Sequence, residues 1–364
     1  MFYSYFVYTL LVFSISIISY YAYRNKSSYS VLWIPIIIYS LVLGCRYGVG
    51  TDWYNYKDYY IESLRGNDLN LEYLFATLNK VVAYLGFDYP FFFFIVSFIH
   101  IKCLYTFLLE HRKILFFGIL LFFLGGPFIT SLNIIRQVTS FFIFLLSIKY
   151  IIRHDWKRYL LLTLIAYGFH SSSIILLPLY FVNRININLI NRSFILSSLF
   201  LMSLLIGKYL LTSFVDIFFA NITSMQYMRY ESSFLENNLT YGFGFLSIKV
   251  IDFLLSFLAP QLLKNNSKEG FHEIWWIYYI GVLIFNIGMS NELIIRLSFC
   301  LVSLRFIVLA FLFDYSFSNV KKHKVVTVFA IVVLLLNIIA FYSSVANSYS
   351  GCSPFQFFFE INSY

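Results

Sequence analysis

Apolar runs about as long as a lipid bilayer is thick recur along this chain, and short basic clusters separate them. They cover roughly 2–21, 31–45, 89–109, 114–131, 133–152, 158–182, 193–213, 241–263, 273–291, 293–313 and 324–343. About 20 residues of helix cross the hydrocarbon layer. Inside lipid every backbone polar group must be satisfied within the segment, so these runs are helices. The chain is 60% hydrophobic and 12% charged, against about 25% charged in soluble domains. The expected fold is therefore an all-α polytopic membrane protein. It forms a single integral membrane domain over residues 1–364, with about 10–12 membrane segments, some of them half-length or broken. The first run has no charged region before it and no small-residue cleavage site after it, so it reads as a retained helix.

Several function classes drop out early. The net charge of +9 is scattered over short loops, which speaks to topology and not to nucleic acid. Cys45, Cys103, Cys300 and Cys352 lie far apart without metal-ligand spacing. No phosphate loop or serine elbow is present. No metal and no cofactor are expected.

Basic residues orient the helices, because they concentrate on the cytoplasmic side. Arg24 with Lys26, His111–Lys113, Arg153–Arg158, Lys264 with Lys268, and Lys321–Lys324 all read as inside. The polar stretches 46–88 and 214–240 then become long outer-face loops. Within the first, 69–87 interleaves Leu, Phe and Val with Glu72, Asn79 and Lys80, the pattern of an amphipathic helix lying on the outer surface. The run 158–182 has basic residues at both ends, and two half-length helices meeting near Gly168–Ser171 reconcile it with the charge rule. Irregular backbone at that depth is tolerated where it lines a cavity or is buried in protein.

The stretch Arg46-Tyr47-Gly48-Val49-Gly50-Thr51-Asp52-Trp53-Tyr54-Asn55-Tyr56 stands apart. Gly48 and Gly50 suit a turn where side chains would clash. Arg46 and Asp52 flank that turn with opposite charges, and Trp53, Tyr54 and Tyr56 offer flat faces with polar tips, suited to a membrane interface or a sugar ring. Arg46 reads either as an interfacial residue snorkelling to the headgroups or as part of a site. Arg136, in Asn133-Ile134-Ile135-Arg136-Gln137, divides in the same way between a snorkel and a fork for phosphate oxygens. His170, beside three serines in an apolar run, is a proton carrier or a helix–helix hydrogen bond. Arg296 follows Glu292 at helical spacing and can pair with it, and Arg229 sits in the 214–240 loop. Lys249 and Asp252, three apart, are expected to pair with each other. Arg46, Arg136, Arg229 and Arg296 together would suit an anionic ligand on the outer face.

Those blocks carry a resemblance. Arg46–Tyr56 resembles the R-x-G-V-G-T-D-x-x-x-Y signature of the EpsG family, membrane proteins similar to Wzy-type O-antigen and exopolysaccharide polymerases. Asn133–Gln137 resembles that family's I-R-Q block, and Tyr167–Ser172 ahead of Leu177-Pro178 its F-H-x-S block. Arg296 resembles a later lone arginine, and Cys352–Phe355 a terminal P-Y-like tail. Residues 183–290 match only in hydropathy, so Arg229 lies outside the resemblance.

The resemblance implies a glycosyltransferase of the GT-C kind in the bacterial cytoplasmic membrane. It would transfer a growing glycan from undecaprenyl pyrophosphate to a new lipid-linked repeat unit at the outer leaflet, with a chain-length regulator as protein partner. Arg136 and Arg296 would stabilise the pyrophosphate leaving group, with Arg46 assisting, and Asp52 or His170 would serve as base. Gly48, Gly50, Tyr54, Asn133 and Gln137 would bind substrate, and Arg229, which the resemblance does not cover, is expected to join them from its place in the 214–240 loop. A lipid-linked oligosaccharide flippase, a glycan ligase and a membrane O-acyltransferase are the alternatives.

Overall fold

The computed structural model describes residues 1–25, 29–205, 242–289, 291–318 and 320–361. In chain order its helices are α1 (Phe2–Arg24), α2 (Trp33–Gly44), α3 (Trp53–Leu64), α4 (Tyr73–Tyr84), α5 (Tyr89–Glu110), α6 (Leu115–Leu124), α7 (Pro127–Ser131), α8 (Ile135–Ile152) and α9 (Trp156–Phe169). Then follow α10 (Ser193–Leu205), α11 (Phe243–Asn266), α12 (Phe271–Ile287), α13 (Glu292–Val302), α14 (Arg305–Ser318), α15 (Lys324–Ala346) and the short α16 (Phe358–Ile361). Among the described residues six stretches are long and apolar enough to cross a membrane: α1, α5, α8, α11, Leu293–Ser318 and α15. The chain is an all-helical, multi-pass membrane protein.

Three apolar runs are interrupted. The run 114–131 breaks at Gly126, whose φ of +99° ends α6 and starts α7 behind Pro127. The run 293–313 divides between α13 and α14. The run 158–182 breaks near Gly168–Ser171: α9 stops at Phe169 and His170 is extended, with φ −158° and ψ 125°. The chain then continues as a 3-10 helix, Ser171–Arg184, instead of a second α-helix. Pro178 lies inside it and has no N–H to give to an α-helical ladder.

Stretch 46–88 holds two helices where one was expected. The expected amphipathic helix is α4, with Phe75, Asn79 and Val82 buried. The additional helix α3 buries Trp53, Tyr56, Tyr60 and Ser63. Their spacing of three and four places them on one helical face.

The chain divides into two compact units, Met1–Tyr180 with Phe306–Tyr364, and Phe181–Arg305. In the first, Trp53, Tyr56, Tyr60, Phe75, Val82, Phe92, Phe93, Val96 and Ile135 form one buried cluster. It ties α3, α4 and α5 to the head of α8. Trp53 stacks on Phe93 with ring centroids 5.7 Å apart. Each fully buried side chain of this size stabilises by about 1.5–3 kcal/mol, which makes the cluster a firm floor for what stands on it.

In the second unit α12 and α13 approach closely. A Cβ on Gly281 would lie 2.3 Å from Leu301 Cβ, so only glycine fits there. The expected Lys249–Asp252 pair does not form. Asp252 instead takes a two-pronged bond from Arg305, Nε at 2.7 Å and Nη2 at 2.9 Å, and accepts from Tyr278 at 2.6 Å. The planar guanidinium matches both carboxylate oxygens as an ammonium cannot. Lys249 donates to Asn286 Oδ1 at 2.5 Å and sits 4.2 Å from the Phe285 ring centroid.

Candidate functional site

The site is built around a carboxylate, Glu72, at the head of α4. Burial by itself would raise its pKa. The hydrogen bond with His170 and the charge of Arg136 outweigh that and hold the carboxyl at about 2. Arg136, in the first turn of α8, donates from Nη1 to Glu72 Oε2 at 2.5 Å. Glu72 Oε1 lies 2.9 Å from His170 Nδ1 and accepts the Ser171 backbone N–H at 3.2 Å. The break after α9 makes this possible, since an unbroken helix would not turn both the imidazole and the next N–H toward one oxygen. The side chains remain partly open, at 28% exposure for Arg136, 18% for His170 and 16% for Glu72.

Tyr56 of α3 borders the same cluster. Burial lifts its hydroxyl to about 12, the charge of Asp52 one turn earlier pushes the same way, and Arg136 opposes both. The structure therefore brings Asp52, Tyr56, Glu72, Arg136 and His170 into one electrostatic neighbourhood on the aromatic floor.

Beside it, two sequence blocks are knit together by the C-terminal tail. Gly48 and Gly50 both have positive φ, +62° and +104°. A Cβ on Gly50 would sit 2.3 Å from the Leu132 carbonyl oxygen. Gly50 N–H donates to Gly351 O at 2.8 Å and Thr51 N–H to Ser350 O at 3.2 Å. Asn133 spends its amide on the same junction. Its Oδ1 accepts from Thr51 Oγ1 at 3.0 Å and from Asp52 N–H at 3.2 Å, and its Nδ2 donates to Ser350 O at 3.0 Å. Arg46 and Phe357 form an antiparallel bridge.

Arg46 does not snorkel. It is 2% exposed, donates from Nη2 to Leu132 O at 3.2 Å and lies 5.2 Å from the Phe93 ring centroid. Burial pulls its pKa down to about 10, so it stays charged at neutral pH. No ion pair joins it to Asp52 among the described residues. The glycine turn sends the arginine inward while Asp52 heads α3. Tyr54 is exposed, with its hydroxyl 3.1 Å from where a Gly48 Cβ would be. Gln137 is buried and already partnered.

Arg296 is on α13 in the second unit, exposed and with a partner of its own; the side chain of Glu292, its expected partner, is outside the described residues. Arg229 and the whole 214–240 loop also lie outside the described residues, as does Lys26. Among the described residues no group of three or more His, Cys, Asp or Glu side chains is placed to hold a metal ion.

Glu72 is the residue that sequence reasoning passed over. Its signal was a carboxylate at the start of an amphipathic helix in a chain whose membrane-facing arginine and histidine both needed a counter-charge.

No curated protein and no solved structure matches the chain. The sequence profile of the EpsG family matches residues 29–357, nearly its whole length. With that match spanning the knitted blocks and the Glu72–Arg136–His170 cluster, the chain belongs to the EpsG family, whose members are Wzy-type polysaccharide polymerases.

Proposed function

We propose that this polymerase joins lipid-linked repeat units by a GT-C type transfer. The growing glycan leaves undecaprenyl pyrophosphate and passes to a sugar hydroxyl of a new unit at the outer face of the bacterial cytoplasmic membrane. The observation that carries the reading is the convergence of Arg136 and His170 on one carboxylate, Glu72, in the part of the chain that basic residues assign to the outside.

The chemistry follows from charge. As the bond to the anomeric carbon lengthens, negative charge grows on the departing pyrophosphate. A guanidinium fixed in advance stabilises that charge most strongly where water is scarce. Glu72 holds Arg136 through Nη1 and the Tyr56 hydroxyl borders the same guanidinium, which orients the fork toward phosphate oxygens. Arg46, whose charge also reaches Tyr56, adds to the positive potential. Gly48, Gly50, Asn133 and Gln137 shape the wall, and Tyr54 presents an exposed ring to a sugar face. His170 or Asp52 takes the hydroxyl proton. Arg229 and Arg296 join the proposal through their sequence positions as further phosphate ligands, and a chain-length regulator is the proposed protein partner.

Chain-length analysis of the surface glycan in a deletion strain tests the function. Single repeat units in place of polymer are expected. Loss of all surface glycan would point to a flippase or ligase, and full-length chains lacking acetyl groups to an acyltransferase. Orientation is tested with Arg65→Cys on α3's exposed end, in a Cys45→Ser background. Labelling by an impermeant reagent from outside is expected, and protection would refute the outer placement.

A further inference from the structure

Glu72 holds two partners with two different oxygens, and the protonation of one partner follows from that. An ionised carboxylate has lone pairs and no proton, so it can only accept. Its carboxyl is held at about 2, so it is ionised at any physiological pH. The contact between Glu72 Oε1 and His170 Nδ1 is 2.9 Å, so Nδ1 must carry the proton. In neutral imidazole the other nitrogen then has the lone pair. His170 Nε2 makes no hydrogen bond among the described residues, and the ring is 18% exposed.

We propose that Glu72 is a positioning residue that fixes His170 in the Nδ1–H tautomer, so that Nε2 is the base that takes the acceptor sugar's proton. The inference rests on the polymerase reading above and chooses between its two candidate bases. In the step, the hydroxyl proton moves to Nε2 and the hydroxyl oxygen bonds to the anomeric carbon. The bond from that carbon to the pyrophosphate oxygen breaks, and its electron pair leaves with the pyrophosphate. The proton then returns from Nε2 to water.

One carboxylate thereby sets both halves of the reaction. Oε2 orients the cation that meets the leaving group, and Oε1 orients the base that prepares the nucleophile. The Ser171 N–H on Oε1 fixes the carboxylate plane. The charged and titratable groups that meet His170 are Glu72 directly and, on the same cluster, Arg136 of α8 with Tyr56 and Asp52 of α3. Asp52 lacks this arrangement: the Asn133 side chain binds its backbone N–H and not its carboxylate.

The test combines spectroscopy on the intact protein with kinetics on variants. Nitrogen-15 magnetic resonance of histidine-labelled protein in lipid, assigned by difference against His170→Gln, is expected to show neutral His170 protonated at Nδ1. Glu72→Gln, whose amide can also donate, should scramble that tautomer. It should lower kcat by about 10²- to 10⁴-fold, the range for loss of a correctly held base, with little change in KM. Glu72→Asp should restore part of the rate. A merely structural carboxylate would lower the yield of folded protein and leave the His170 tautomer and the kcat of the folded fraction in place.

A neutral Nε2–H tautomer in the wild type would overturn the proposal, as would a Glu72→Gln enzyme with wild-type kcat and an unchanged Nδ1–H tautomer. Failure of the polymerase reading would look different. The wild type would leave lipid-linked repeat units unjoined while His170 still showed Nδ1–H, and the assignment of Nε2 as base would fall with it.

Discussion

Gly50→Ala should cripple the junction that binds the first sequence block to the second and to the C-terminal tail. Two effects act at Gly50. Its φ of +104° is unfavourable for any L side chain, by about 1–3 kcal/mol. The added Cβ would also lie 2.3 Å from Leu132 O and 3.1 Å from Asn133 Oδ1, so the backbone must retreat by about 1 Å to reach ordinary contact. That retreat loosens the Gly50–Gly351, Thr51–Ser350 and Thr51–Asn133 hydrogen bonds, each worth about 1 kcal/mol. Gly126 is the matched control, because its φ is +99° and nothing lies within 4 Å of its would-be Cβ. The backbone term cancels between Gly50→Ala and Gly126→Ala, leaving a difference of about 2–3 kcal/mol from the contacts. At about 2–4 °C per kcal/mol for a unit of this size, the apparent melting temperatures should differ by about 5–10 °C. Both variants would be melted in the same detergent at one scan rate, since unfolding of such a protein is commonly irreversible. Equal melting temperatures would show that the Gly50–Leu132 approach does not constrain the fold.

The other expectations concern charge. Arg136→Lys keeps the cation but loses the planar fork, so polymer should be severely reduced at normal membrane levels of the protein; wild-type chain lengths would leave Arg136 only a structural charge. The Glu72 carboxyl is depressed in the folded state from an ordinary value of 4.5 to about 2. Its contribution to stability is therefore complete above about pH 4.5 and lost as pH falls toward 2. The stability gap between wild type and Glu72→Gln should shrink over that window, and a gap constant with pH would contradict the ion pair. In the second unit, Asp252→Asn strands Arg305 and should destabilise by about 3–5 kcal/mol, whereas Asp252→Leu with Arg305→Met should recover most of the loss; a double variant no more stable than the single would refute that account.

Much of the architecture was legible because lipid permits so few structures. Six of the apolar runs appear as helices long and apolar enough to cross a membrane, and the doubly basic flanks of 158–182 located the break that turns His170 toward Glu72. The amphipathic pattern of 69–87 appeared as α4. Helix α3 was missed because its aromatic residues have polar tips and resemble an interface loop, although Trp53, Tyr56, Tyr60 and Ser63 already kept helical spacing. Pairings across the chain left no periodic trace. Glu72 meets Arg136 from 64 residues away and His170 from 98. Arg46 is covered by Phe93 and tied by its backbone to the tail at Phe357, partners that no local window contains. Lys249 and Asp252 failed as a pair for the same reason, since the better partner for the carboxylate lay 53 residues on, at Arg305.

The most direct measurement is reconstitution of the purified protein in liposomes with lipid-linked repeat units as its sole substrate and no nucleotide sugar. Products would be separated by size on a gel. The account predicts a ladder whose steps are one repeat unit each, formed by the wild type and absent with Arg136→Lys. Repeat units that stay single, whether unmoved or merely carried to the other leaflet, would contradict it.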